Sequence, residues 1–272
     1  MKPYRIKNSL ARLVICLVLA IGIFAGFAGN AHAAIPYEVD ISLDRDTRAF
    51  LKSQGYSLYA FKGIDAGKGA ASTVWFELTG DQELYNQPLI EIKWQEDYYI
   101  GETTTAIKSG AQVIGTSPYV DPSNVKSVDV GEVYIYEGVN WDANPKPSIN
   151  PDSFEILNQP KLVDNFYVSQ SNSVNSKAAD SYIVVQELPG AGGLGDFKPI
   201  ETVSFIFTTR PVKRGTIIVT AFTPGIIATV PNDGVPLPLT YTPSGGWSGP
   251  SGNTQTLEFG DDIYEAMLSA AP

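Results

Sequence analysis

Hydrophobic and polar residues alternate in short runs along most of the chain. Over residues 89–95, Ile90, Ile92 and Trp94 share one face, and Glu91, Lys93 and Gln95 the other. This period of two predicts a half-buried strand. Val74, Phe76 and Leu78 repeat the pattern, with Trp75 on the opposite face between Thr73 and Glu77. So do residues 132–136 and 200–207, where Val203, Phe205 and Phe207 line up. Further β-rich runs cover 56–64, 181–188, 216–222, 237–241 and 254–259. Turn residues separate these runs at short intervals, as a sandwich or barrel requires. In 216–230, Pro224-Gly225 divides an apolar stretch into two strand-length pieces, which predicts a central hairpin.

Helical signals are few. Residues 44–54 open on Asp44 and Asp46, carry Lys52 late and meet Gly55, a start-and-stop pattern for a short helix. Residues 261–270 follow the same logic behind Asp261 and Asp262. Two short helices cannot supply the repeated crossovers of an α/β fold, so the expectation is an all-β, antiparallel β-sandwich with two short helices.

The first 33 residues stand apart. A basic start (Lys2, Arg5, Lys7, Arg12), an apolar run over 13–27 and the small-residue site Ala31-His32-Ala33 read as a signal peptide cut near Ala33/Ala34. The apolar run is short for a bilayer span, and no stable membrane span is expected after cleavage. The predicted location is secreted or periplasmic. Cleavage removes Cys16 and His32, the only cysteine and the only histidine. The mature chain then has no thiolate, imidazole base, disulfide or Cys/His metal site. Cleavage also takes four basic residues and no acid, moving the formal charge from −10 to −14. Such a surface repels phosphate backbones, so nucleic acid is not an expected partner.

The mature chain divides into a β-region over 34–140, a Pro-rich loop or linker over 141–152 and a second β-region over 153–272. The two regions read as one large domain or two packed small ones. Residues 169–180, rich in Ser and Asn, read as a further loop.

Candidate chemistry is sparse. Gly190-Ala191-Gly192-Gly193-Leu194-Gly195 has dinucleotide-loop spacing but leads into a strand instead of a helix, so it reads as a hairpin loop. Asp40, Asp44 and Asp46 lack the glycine and closing glutamate of a calcium loop, and helix capping accounts for the latter two. No metal and no cofactor is expected. An enzyme without His or Cys would use paired carboxylates, drawn from Glu77, Glu91, Glu96, Asp97, Glu102 and Glu132. No local signature selects a pair among them, and catalysis is the less favoured reading. Aromatics offer more, with 14 Tyr, 12 Phe and four Trp in the chain. Trp94 falls on an apolar strand face and reads as core. Trp75, Trp141 and Trp247 are the candidate ligand-binding residues, the last two in Pro- or Gly-rich loops where a ring serves as ligand platform or as lid on the core.

Several of these strands together, Thr73-Val74-Trp75-Phe76, Trp94 with Tyr98, and Gly246-Trp247, resemble a poorly characterised group of β-rich proteins of fungi and bacteria. In that group TVWF, WxxxY and late GW motifs recur. The resemblance spans about residues 55–248. It implies a β-rich fold and assigns no catalytic residue. The functional expectation is therefore a secreted β-sandwich that binds carbohydrate or a cell-surface ligand. A carboxylate-dependent glycoside hydrolase and a pore-forming, toxin-like β-protein are the alternatives.

Overall fold

The computed structural model describes residues 36–115 and 125–271. The expected signal peptide, with Cys16 and His32, lies outside the described residues. Sixteen strands follow in chain order: β1 (Tyr37–Ser42), β2 (Ser57–Asp65), β3 (Ala71–Ser72), β4 (Phe76–Leu78), β5 (Leu89–Thr103), β6 (Lys126–Val128), β7 (Glu132–Tyr136), β8 (Lys146–Pro147), β9 (Phe154–Asn158), β10 (Asp164–Val174), β11 (Lys177–Leu188), β12 (Gly193–Thr208), β13 (Gly225–Thr229), β14 (Leu237–Thr242), β15 (Gly246–Ser248) and β16 (Thr254–Leu257). Helix α1 spans Arg45–Gln54, helix α2 spans Ile263–Ala270, and a π-helical turn spans Asp81–Tyr85.

One sheet runs β15-β14-β1-β5-β10-β11-β3, with β6 beside β5. The other runs β16-β13-β12-β9-β7-β8, with β2 bridging β12 and the edge strand β4. About 50% of the described residues are in strands and 11% in helices, and the two curled sheets form an all-β sandwich. Their pairing is antiparallel except for β1 with β14 and β7 with β9. Alternation along a strand does not encode the direction of its neighbour, so these two parallel pairs were not readable from it. Strands from either side of the 141–152 segment interleave in both sheets: β5 pairs β10, and β2 pairs β12.

The main core fills the space between the sheets. Ile90, Ile92 and Trp94 enter it from β5, and Val203, Phe205 and Phe207 from β12, on the faces predicted for them. A second cluster lies on the far side of β2 and β12, where Tyr59, Phe61 and Ile206 meet Ile263 and Met267 of α2. Being covered on both faces, β2 is buried over almost its full length, which explains its nearly unbroken apolar sequence. Both helices end as their sequences suggest. Asp44 caps α1 by accepting from the Thr47 amide at 2.6 Å, and Gly55 stops it at φ 69°. Asp262 caps α2 by accepting from the Glu265 amide.

Three expectations need correction. Residues 169–180 form no loop: they belong to the β10–β11 hairpin, which turns at Asn175 (φ 49°) and Ser176 (φ 65°). Its polar positions Ser169, Gln170, Asn172 and Ser181 are buried, so side-chain polarity hid the strands. The 216–222 run is an extended buried segment held by isolated bridges, Thr73 to Ile217 and Gln112 to Thr216, and not a hairpin strand. It serves two small clusters, with Ile217 in one and Ile218 in the other, which accounts for its apolar character without a sheet register. The 73–79 strand is interrupted: Phe76–Leu78 pair with β2, Thr73 makes an isolated bridge to Ile217, and Val74 and Trp75 between them belong to no strand.

Candidate functional site

The three candidate tryptophans lie in three different places. Trp75 is fully buried and packs edge-on against Trp94 with ring centroids 5.5 Å apart. A ring with no exposed face offers nothing to a ligand, so Trp75 belongs to the core. Trp141 is half-buried against Tyr136 and Phe166, at centroid distances of 5.2 and 5.9 Å. It closes the end of the core as a lid. Trp247, on the short edge strand β15, is the one that borders a sizeable cleft.

That cleft, about 550 Å³, opens at the side of the sandwich between β14–β15 of one sheet and β13–β16 of the other. Its aromatic lining comes from Tyr56, Phe207, Tyr241 and Trp247. Trp247 stacks on Phe207 at 5.1 Å with planes 10° apart, and Tyr241 leans on both rings. These contacts fix the ring positions before any ligand arrives. Polar groups come from Thr223, Ser248, Thr254, Gln255 and Thr256. The lining includes no Asp, Glu, Lys, Arg or His. Burial raises the Tyr241 pKa above the ordinary tyrosine value.

The candidate carboxylates scatter. Glu96 accepts a hydrogen bond from Tyr37 at 2.6 Å, Glu132 accepts from Tyr134, and Glu102 accepts from Tyr136. Three of the six are thus tied to tyrosine hydroxyls, a pairing that spacing along the chain did not reveal. Glu91 lies opposite Asp40 across β1 and β5, close to Glu38. Lys93 pairs with Glu38 at 3.0 Å and with Glu91 at 3.7 Å, so this acidic group is a surface ion-pair network. Burial and the two neighbouring glutamates hold the Asp40 carboxyl above its usual range, with Lys93 opposing. Asp97 borders a shallow hollow beside Trp94.

Glu77 alone of the six lines a second sizeable cleft, about 480 Å³, between the edge strand β4 and the tip of the β10–β11 hairpin. There the π-helical turn presents Gln82 and Glu83. This cleft was not legible in the sequence, because its lining comes from separated stretches of chain.

A buried cation lies between the sheets. Lys62 is fully buried on β2 and forms an ion pair with Glu201 of β12 at 3.3 Å. It also donates to the carbonyls of Gly63 and Ile200. Its three protons are therefore accounted for within the protein, as a structural lysine requires.

Comparison with known proteins returned nothing: no family model matches the chain, and neither a curated protein nor a solved structure matches it.

Proposed function

We propose that this chain is an exported β-sandwich binding protein that recognises neutral carbohydrate through the cleft at Trp247. One observation carries the reading: three mutually packed aromatic rings, Phe207, Tyr241 and Trp247, line a cleft together with Tyr56, and the rest of the lining combines hydroxyls and an amide with Pro224, Ile226 and glycine backbone, with no charged side chain. Sugar rings present apolar C–H faces that pack on aromatic rings, and their hydroxyls pair with Thr, Ser and Gln side chains. An uncharged lining in so acidic a chain favours neutral sugars over uronic acids, sialic acids or phosphorylated ligands. It also favours binding over hydrolysis at this cleft, since glycoside hydrolysis uses two carboxylates flanking the bond. Export rests on the signal-like sequence of residues 1–33 and on the acidic, cysteine-free composition of residues 34–272.

The test is a glycan array followed by calorimetric titration of the mature protein. Neutral oligosaccharides should bind, and Trp247→Ala should abolish binding. Thr256 is an exposed cleft residue, and Thr256→Val should weaken binding without lowering the melting temperature. Wild-type protein that binds no neutral glycan would end this reading.

A further inference from the structure

The second cleft carries a different chemistry. It shares no lining residue with the Trp247 cleft. Its walls hold both signs of charge, Glu77 and Glu83 against Lys177 and Arg214. Lys177 pairs with Glu83 at 3.6 Å. Arg214 is exposed and its guanidinium forms no ion pair among the described residues. Asn172, with a relative exposure of 4%, is a further lining residue of this cleft. By strand alternation Asn172 shares the inner face of β10 with Val174, and both line the cleft. Its Nδ2 donates to Ser181 Oγ at 3.1 Å, while Oδ1 is buried with no hydrogen-bond partner. A buried acceptor left unpaired costs stability, and a ligand donor entering the cleft that Asn172 lines would satisfy it.

We propose that this cleft binds a small zwitterion of the α-amino-acid class, with its ammonium between Asn172 Oδ1 and Glu77 and its carboxylate toward Arg214. An ammonium carries three donors and no acceptor, which suits a carboxylate beside an unpaired amide oxygen. A guanidinium matches a carboxylate in a two-pronged arrangement. Glu77 is half-buried, and burial raises its pKa with Arg214 opposing. A ligand cation beside it would offset that desolvation.

Titration calorimetry and thermal shift with a panel of free amino acids test this, alongside the N-acetyl and methyl-ester forms of any binder. At least one free amino acid should bind and raise the melting temperature. Its N-acetyl form lacks the ammonium and its ester lacks the carboxylate, and each should lose tenfold or more in affinity. Arg214→Gln is an exposed change expected to fold normally, and it should weaken binding by a similar factor. Glu77→Gln should do the same, with circular dichroism confirming the fold. Silence across the panel overturns the proposal. So does binding that survives either blocked ligand or both substitutions. Glycan binding at Trp247 is read out separately, and Arg214→Gln should leave it unchanged, so failure of one proposal does not imitate failure of the other.

Discussion

Lys62 Nζ lies 3.3 Å from Glu201 Oε2, and the same oxygen accepts the Trp94 indole N–H at 3.1 Å. A strand of one sheet thus supplies the cation, its neighbour the anion, and β5 of the opposite sheet a further donor. The pair ties the layers together at a position with no solvent access for the lysine. Breaking it from one side leaves an uncompensated buried charge. Glu201→Gln should therefore cost about 3–5 kcal/mol in urea unfolding, whereas Lys62→Met, which removes the charge and keeps the volume, should cost far less or nothing. Equal losses from both variants would show that the pair is not the source of the cost.

The same lysine sets a pH dependence. Burial lowers the Lys62 pKa below its ordinary value of 10.5 in the folded chain, with Glu201 opposing. The unfolded chain then holds this proton more tightly than the folded one. The penalty of burying the charge is present at low pH. It is relieved as pH rises through the folded value, and the full contribution is reached only above 10.5. The stability of wild type relative to Lys62→Met should thus increase as pH is raised from neutral toward 10. Denaturant midpoints measured across that range check the sign, and a constant difference would refute it.

Trp75 should separate cleanly from Trp141 and Trp247 on mutation. Trp75→Ala empties a fully buried site and should cost about 3–5 kcal/mol. The Trp75 indole N–H has no partner, so Trp75→Phe, which also removes a buried unpaired donor, should cost much less than the lost volume suggests. Trp141 and Trp247 each pack on two or more aromatic rings. Both alanine variants should lose about 2 kcal/mol, with only Trp247→Ala affecting glycan binding. Glycan binding lost equally in Trp141→Ala would move the site.

The sandwich was legible where burial follows a local rule. Ile90, Ile92 and Trp94 show their face by alternation, and Gly55 and Asp44 announce the ends of α1 by backbone chemistry. Legibility failed where burial depends on distant partners. The Asn172 and Ser181 side chains are buried against each other, joined by a hydrogen bond across β10 and β11, which no single strand reveals. The Trp247 cleft was half legible. An aromatic in a Gly-rich loop was visible, but its partner Phe207 lies 40 residues earlier. Lys62 reads as an ordinary polar break in a strand until its ion-pair partner Glu201 of β12 is in place.

Gly101 and Gly115 flank the Tyr167 ring. A Cβ on Gly101 would lie 2.2 Å from Tyr167 Oη, and one on Gly115 would lie 2.4 Å from Tyr167 Cε1. Tyr167 is fully buried and packs edge-on with Tyr182 at 4.9 Å, so it cannot simply swing away. Gly101→Ala should cost about 1–3 kcal/mol through overpacking. The combined variant Gly101→Ala with Tyr167→Phe should recover part of that loss, because it removes the nearest atom. Thermal melts of the two variants decide this, and an unperturbed Gly101→Ala would show that the ring yields.

Tyrosine ionisation should report the fold as a whole. Burial is the first cause of raised pKa at Tyr37, Tyr85, Tyr98, Tyr134, Tyr136, Tyr182, Tyr241 and Tyr264, eight of the 14 tyrosines. Hydrogen bonds to Glu96, Glu132 and Glu102 add to it at Tyr37, Tyr134 and Tyr136, since a phenol donating to a carboxylate resists losing its proton. Each group has a folded value above the unfolded value of 10.0. Its contribution to stability is therefore complete below pH 10 and is lost as pH rises through the folded value. Absorbance at the phenolate band should show fewer ionised tyrosines at pH 10 in the folded protein than in the unfolded chain. The remainder should appear in one cooperative step that coincides with loss of the far-ultraviolet β signal. Tyr136→Phe should shift that step little, because one pair of several is removed. Full ionisation near pH 10 with the β signal intact would show that these hydroxyls are solvent-accessible and that the tyrosine–glutamate pairs do not form.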